Sequence, residues 1–167
     1  YAVDGNPIMD LQSEEGIAAL GKALPLIHQD PSNLEARSLA LYGAWLCGQA
    51  LANAGMALHH KLCHTLGGSF DLPHAETHSV ILPHAIAYNQ TAAARELAAV
   101  ADIFGADTPG LALHDFARRM GAPTALRDLG MAEADLAQNG FGLRAGVALG
   151  GTEQPAEQWR AWQLQTD

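Results

Sequence analysis

Six of the eight histidines fall between His59 and His84, where even scatter would place one or two. The segment reads His59-His60-Lys61-Leu62-Cys63-His64, then Thr65-Leu66-Gly67-Gly68, then Leu72-Pro73-His74-Ala75-Glu76-Thr77-His78. His60 and His64 are four apart, so on a helix both imidazoles leave one face about one turn from each other. His74 and His78 repeat that spacing across an expected helix start, and Gly67-Gly68 lets the chain reverse and bring the second pair back to the first. Converging neutral imidazoles suit a divalent metal or a pocket of proton donors near neutral pH. A single histidine taken alone reads as a surface or core residue satisfied by backbone groups, and His28, His84 and His114 are read that way. Lys61 could bring positive charge to an acidic substrate, although helix geometry turns it about 100° from His60. Glu76 either orients a neighbouring imidazole or occupies the first turn of a helix, where negative charge is favoured. Cys63 reads as a small buried hydrophobe rather than a nucleophile.

The elements that must position these residues follow a helical period throughout. Asp4-Gly5-Asn6-Pro7 reads as an entry loop, with Ser13 as the cap of a first helix that Asp30-Pro31 ends. Asn33 caps a second segment, Leu34 to Ala54, which carries no charge after Arg37 and is expected to be a central helix buried on most sides. Met56 to Leu66 continues as a helix stopped by Gly67-Gly68. Thr77 to Asn89 follows, with Pro83 in its first turn or kinking it. Thr91 to Phe104 is amphipathic with Leu97, Val100, Ala101 and Phe104 inward. Thr108-Pro109 opens a helix running to Met120. Thr124 begins a short helix ended by Gly130, and Glu133 to Ala137 adds a further turn. No useful period-two alternation occurs, so the predicted class is all-α.

Composition agrees. Apolar residues make up 49% of the 167-residue chain and charged residues 16%, which excludes a disordered chain. Alanine fills 32 positions while aromatics reach 6%, favouring helices packed closely through small side chains. The formal charge of −9 argues against nucleic acid or an anionic membrane surface as partner. Two cysteines, Cys47 and Cys63, are too few for a disulfide scaffold and read as reduced thiols of a cytoplasmic protein. Neither a leader peptide nor a membrane-spanning run is found, and the chain opens at Tyr1, so its true start is expected to lie elsewhere. No glycine-rich dinucleotide or phosphate loop follows a strand.

Gly55 to Asn89, GMALHHKLCHTLGGSFDLPHAETHSVILPHAIAYN, resembles the helical C-terminal domain of the iron-containing alcohol dehydrogenase superfamily. The superfamily pattern of His-x-x-x-His, a Leu-Gly turn and a later Pro-His matches His60, His64, Leu66-Gly67 and Pro73-His74. The fuller strings HHKLCH and LPHAETH are most similar to the maleylacetate reductases within it. Supporting similarity lies in Gly121 to Gly130 and in Tyr1 to Leu20.

The resemblance implies a dehydroquinate synthase-like fold, in which this helical domain pairs with an N-terminal Rossmann-like domain that binds NADH or NADPH. It implies reduction of a dicarboxylate, maleylacetate, to 3-oxoadipate in the breakdown of aromatic compounds, with the isolated fragment inactive. It places His60 and His74 as metal ligands in the metal-dependent relatives, and His64 near nicotinamide and substrate; the reductases themselves are understood to work without a metal. His60, His64 and His74, with His78 and Lys61 behind them, are therefore the expected catalytic residues. Residues 1–138 form the expected helical domain, and residues 139–167 a divergent tail. A metal-dependent alcohol dehydrogenase and a non-catalytic helical assembly domain are the rival expectations. A homodimer is expected from the apolar surface that pairs with the N-terminal domain.

Overall fold

The computed structural model describes residues 5–132, and every regular element among them is helical. The chain runs through α1 (Pro7–Gln29), α2 (Leu34–Asn53), α3 (Leu58–Phe70), α4 (His74–Asn89), α5 (Ala94–Phe104) and α6 (Pro109–Arg119), then a 3₁₀ turn at Leu126–Leu129. The all-α expectation holds. The domain boundary expected at 138 and the turn expected at Glu133 to Ala137 lie outside the described residues.

Helix α1 begins six residues before the expected Ser13 cap. Asn6 is the cap, its Oδ1 accepting from the N–H groups of Ile8 and Met9 at 3.1 Å each. Pro7 follows at the first helical position, where its fixed φ suits the helix and its missing N–H is not needed. The expected caps at Asn33 and Thr108-Pro109 are both found at helix starts.

Helices α1 and α2 pack side by side through small residues. A Cβ on Gly43 would lie 2.9 Å from the Gly16 carbonyl oxygen, and one on Gly16 would lie 2.7 Å from Cys47 Sγ. Ala19, Ala23 and Ala36 line the same contact side and are buried. This is the alanine-rich close packing read from composition. The expectation that α2 is buried on most sides fails. Only Ala36, Gly43 and Leu46 are buried on it, while Leu34, Leu41 and Trp45 are 77%, 73% and 58% exposed. Its small residues face α1, so the bulky apolar ones point outward.

The central helix is α4. Thr77, Val80, Ile81, Pro83, Ala85 and Ile86 are buried around its circumference, as for a helix enclosed by neighbours. One side of it joins Leu58, Leu62, Cys63, Leu66, Leu72 and Met131 in a core beneath α3. The other side joins Ala93, Leu97 and Val100 in a second core shared with Ile17, Phe104 and Leu113. Gly110 of α6 reaches α4 closely, its hydrogen standing where a Cβ would be 2.9 Å from the Pro83 carbonyl oxygen.

Candidate functional site

Helices α3 and α4 converge on the histidines. Helix α3 runs through Gly67-Gly68 instead of ending there, and the reversal is made by Asp71, whose φ of 52° is left-handed. Asparagine and aspartate tolerate that region better than other non-glycine residues. Pro73 then opens α4, with His74 as its first residue. The start is three residues earlier than expected and puts His74 and His78 one turn apart on the same helix.

Between them, Thr77 is fully buried, and its Oγ1 donates to the Pro73 carbonyl at 2.7 Å. That bond and the burial of Val80 and Ile81 fix the direction of α4's opening turn. Beneath α3, Leu62, Cys63 and Leu66 are almost completely buried, which turns His60 and His64 outward along the opposite side.

Five imidazoles meet above this floor. His78 is central: its ring centroid lies 4.4 Å from His74, 4.8 Å from His59, 4.8 Å from His60 and 6.5 Å from His64. His64 stacks on His74 at 5.8 Å. His78 thus occupies the middle of the cluster. Lys61 is exposed on α3, and no ring contact includes it. Glu76 is exposed in the first turn of α4, in keeping with the helix-start alternative for it.

His59 was not singled out by the sequence. Its Nε2–H donates to the His78 carbonyl oxygen at 3.1 Å, and its ring meets both His60 and His78 edge-on. The signal for it was the pair His59/Cys63, four apart on the inner side of α3.

Burial and mutual repulsion favour the uncharged form of His59, His60 and His78. Burial first, then the His59, His60, His74 and His64 imidazoles, push His78 down to about 4. Burial likewise lowers His59, with His60 adding to the effect, and lowers His60, with His64 and His74 adding. A neutral imidazole offers one N–H donor and one lone pair. Burial pushes the Cys63 thiol up to about 12, so without a metal it stays protonated and is no nucleophile near neutral pH, in keeping with the sequence. Neither α3 nor α4 has a side-chain N-cap, and His59, His60 and His74 all lie in their opening turns. Uncapped first-turn N–H groups and the positive end of the helix dipole favour anions there.

Two sets of three donors converge within 4.8 Å: His64, His74 and His78 on the outer side, and His59, Cys63 and His78 on the inner. Among the described residues His60 belongs to no such set.

Residues 1–154 match the family described as Fe-containing alcohol dehydrogenase, C-terminal. A maleylacetate reductase of Pseudomonas sp. (strain P51) is 56% identical over 136 residues, 81% of this chain and 39% of that protein. The crystal structure of maleylacetate reductase from Agrobacterium tumefaciens superposes with a TM-score of 0.87 at 47% identity, covering 98% of this chain and 46% of that one. That of the Rhizobium sp. strain MTP-10005 enzyme gives 0.87 at 46% identity, with the same coverage. The chain thus spans less than half the length of these relatives. Among the described residues, no helix is long and apolar enough to cross a membrane.

Proposed function

The chain belongs to the Fe-containing alcohol dehydrogenase family through its C-terminal domain, and on that premise we propose that it is the substrate-handling part of a maleylacetate reductase. The single observation behind the proposal is the convergence of His60, His64 and His74 around His78, on a chain 56% identical to a maleylacetate reductase. NADH or NADPH is held mainly by the part of the relatives' length that this chain does not span. The chain alone is inactive for that reason.

Hydride reaches the alkene carbon β to the ketone of maleylacetate, and the electron pair moves onto the ketone oxygen. N–H groups of His60, His64 and His74 face that oxygen and stabilise the charge as it forms, an effect worth most when the donors are already in place. A proton then passes to the α carbon, giving 3-oxoadipate. His78 stays neutral through the cycle and holds the neighbouring rings in position, and Lys61 adds positive charge at the rim. The two substrate carboxylates are accommodated by uncapped helix starts on a chain whose formal charge is −9.

The iron of the family's description would find imidazole donors in His74, His64 and His78, a ligand type that suits iron or zinc, and would polarise the ketone as a Lewis acid. That triad favours a second reading, a metal-dependent alcohol dehydrogenase.

The deciding experiment joins this chain to the N-terminal part of a maleylacetate reductase relative and follows NADH oxidation with maleylacetate, with and without a strong chelator. Chelator-resistant turnover that collapses in His64→Ala supports the imidazole-donor reductase. Turnover lost to chelator and restored by iron or zinc moves the chain to the metal-dependent branch. Oxidation of simple alcohols with no turnover of maleylacetate refutes the substrate.

A further inference from the structure

The inner triad is separate from the donors that face substrate. His59 and Cys63 lie four apart on α3 and His78 lies across from them on α4, with one donor atom from each within 4.8 Å of the others. We propose that His59, Cys63 and His78 form a binding site for zinc or a similar thiophilic divalent cation, on the inner side of the α3–α4 contact.

Three features support the site. First, the donors are of one chemical kind: two imidazoles and a sulfur suit zinc, whereas magnesium, calcium and manganese want oxygen. Second, His78 Nε2 is buried with no hydrogen-bond partner. An atom in that condition is destabilising, and a shared ion within reach of its ring offers the missing partner. Third, His59 Nε2 must carry the proton, because it donates to the His78 carbonyl oxygen. Its Nδ1 is then the lone pair available to a cation, and a backbone bond of this type on the far nitrogen orients metal-binding histidines generally.

A tetrahedral ion with nitrogen at about 2.1 Å and sulfur at about 2.3 Å needs its ligand atoms roughly 3.6 Å apart. The donors, within 4.8 Å of one another, must draw together by up to about an ångström to reach that size. Coordination replaces the Cys63 Sγ–H bond with an Sγ–metal bond and releases one proton to solvent; nothing is oxidised or reduced. The outer triad shares His78, so one ion at a time can use that ring.

The test needs no catalytic turnover and is therefore independent of the reductase proposal. The full chain is stripped with chelator and titrated with cobalt(II). A thiolate-to-cobalt charge-transfer band in the near ultraviolet, with tetrahedral d–d bands, is expected at one cobalt per chain, and zinc should displace it. Cys63→Ser should abolish the charge-transfer band with its far-ultraviolet circular dichroism unchanged, and Cys47→Ser should keep it. His59→Gln should weaken binding about tenfold or more. X-ray absorption on the zinc-loaded, unsubstituted chain should show one sulfur neighbour at about 2.3 Å. A charge-transfer band that survives in Cys63→Ser overturns the site. Cobalt or zinc bound through nitrogen and oxygen alone also overturns it, as does no binding at all.

Discussion

The central imidazole makes this domain sensitive to mild acid. His78 is held down to about 4 against an ordinary 6.5, chiefly by burial and then by its four histidine neighbours. The unfolded chain therefore takes up a proton at His78 as pH falls below 6.5, while the folded chain takes it up only near 4. Stability from this group is complete above about pH 6.5, declines across the window down to about 4, and is lost below it. The whole gap corresponds to about 3.4 kcal/mol, and the part spent by about pH 5 to about 2 kcal/mol. Solvent reaches the ring in part, so screening reduces the latter to about 1 kcal/mol. His59, His60 and His84, all lowered by burial first, act in the same direction. The assay is urea unfolding of the 167-residue chain in chelator-containing buffer at about pH 7.5 and about pH 5, a window above most carboxylate titration. The unsubstituted chain should lose about 1–2 kcal/mol between the two, and His78→Asn should lose about 1 kcal/mol less. Equal stability at the two pH values, or a His78 ring resonance that titrates at 6.5 or above, would refute the account of why the ring is neutral.

Four further outcomes test the packing and association of the helices. Gly110→Ala should destabilise by about 1–3 kcal/mol, because the new methyl would stand 2.8 Å from Ala87 Cβ and 2.9 Å from the Pro83 carbonyl oxygen, neither of which can swing aside. Gly48→Ala in α2, with nothing within 4 Å, should instead stabilise by about 0.5–1 kcal/mol; urea midpoints that shift the same way for both would defeat the geometry. Leu66→Ala should cost about 2–5 kcal/mol, since Leu66 is 0% exposed under the histidine-bearing helix, and a loss below about 1 kcal/mol would mean that the site lacks this floor. By light scattering at high concentration the chain should form a dimer or larger species through the apolar face of α2. Trp45→Glu should shift it toward monomer; a monomeric unsubstituted chain would count against that face.

Much of the fold was legible because its caps are strong local signals. Asn33 and Thr108-Pro109 mark helix starts in the sequence and in the structure. Elsewhere a local signal was outweighed by its surroundings. Gly67-Gly68 looks like a helix stop, yet α3 passes through both, since neither glycine needs a positive φ and Leu66 between them and the core is fully buried. The apolar run of α2 suggested burial, but hydropathy does not say which side meets α1, and there the small residues prevail. His59 has no histidine four residues away, and adjacent residues on a helix diverge by about 100°, so its convergence with the others is not readable from spacing. Helix α4 crosses α3 so that one ring, His78, meets both His59 and His60.

The same crossing bears on how an acidic chain would accommodate the dianion proposed as its substrate. Five cationic imidazoles at these spacings would repel one another, and the depressed values of His59, His60 and His78 show the repulsion and burial at work. At those three rings charge complementarity must then come from something other than imidazolium. The opening turns of α3 and α4 supply it, since their N–H groups have no side-chain cap and their dipoles are positive at that end. Neutral His59 and His60 rings at the start of α3 contribute N–H donors that need no protonation to act, while the first turn of α4 carries one carboxylate, exposed Glu76. Removing Glu76 by a Gln substitution should therefore strengthen dicarboxylate binding to the reconstituted enzyme. Weaker binding would mean that Glu76 orients an imidazole, the role its place between His74 and His78 also allows.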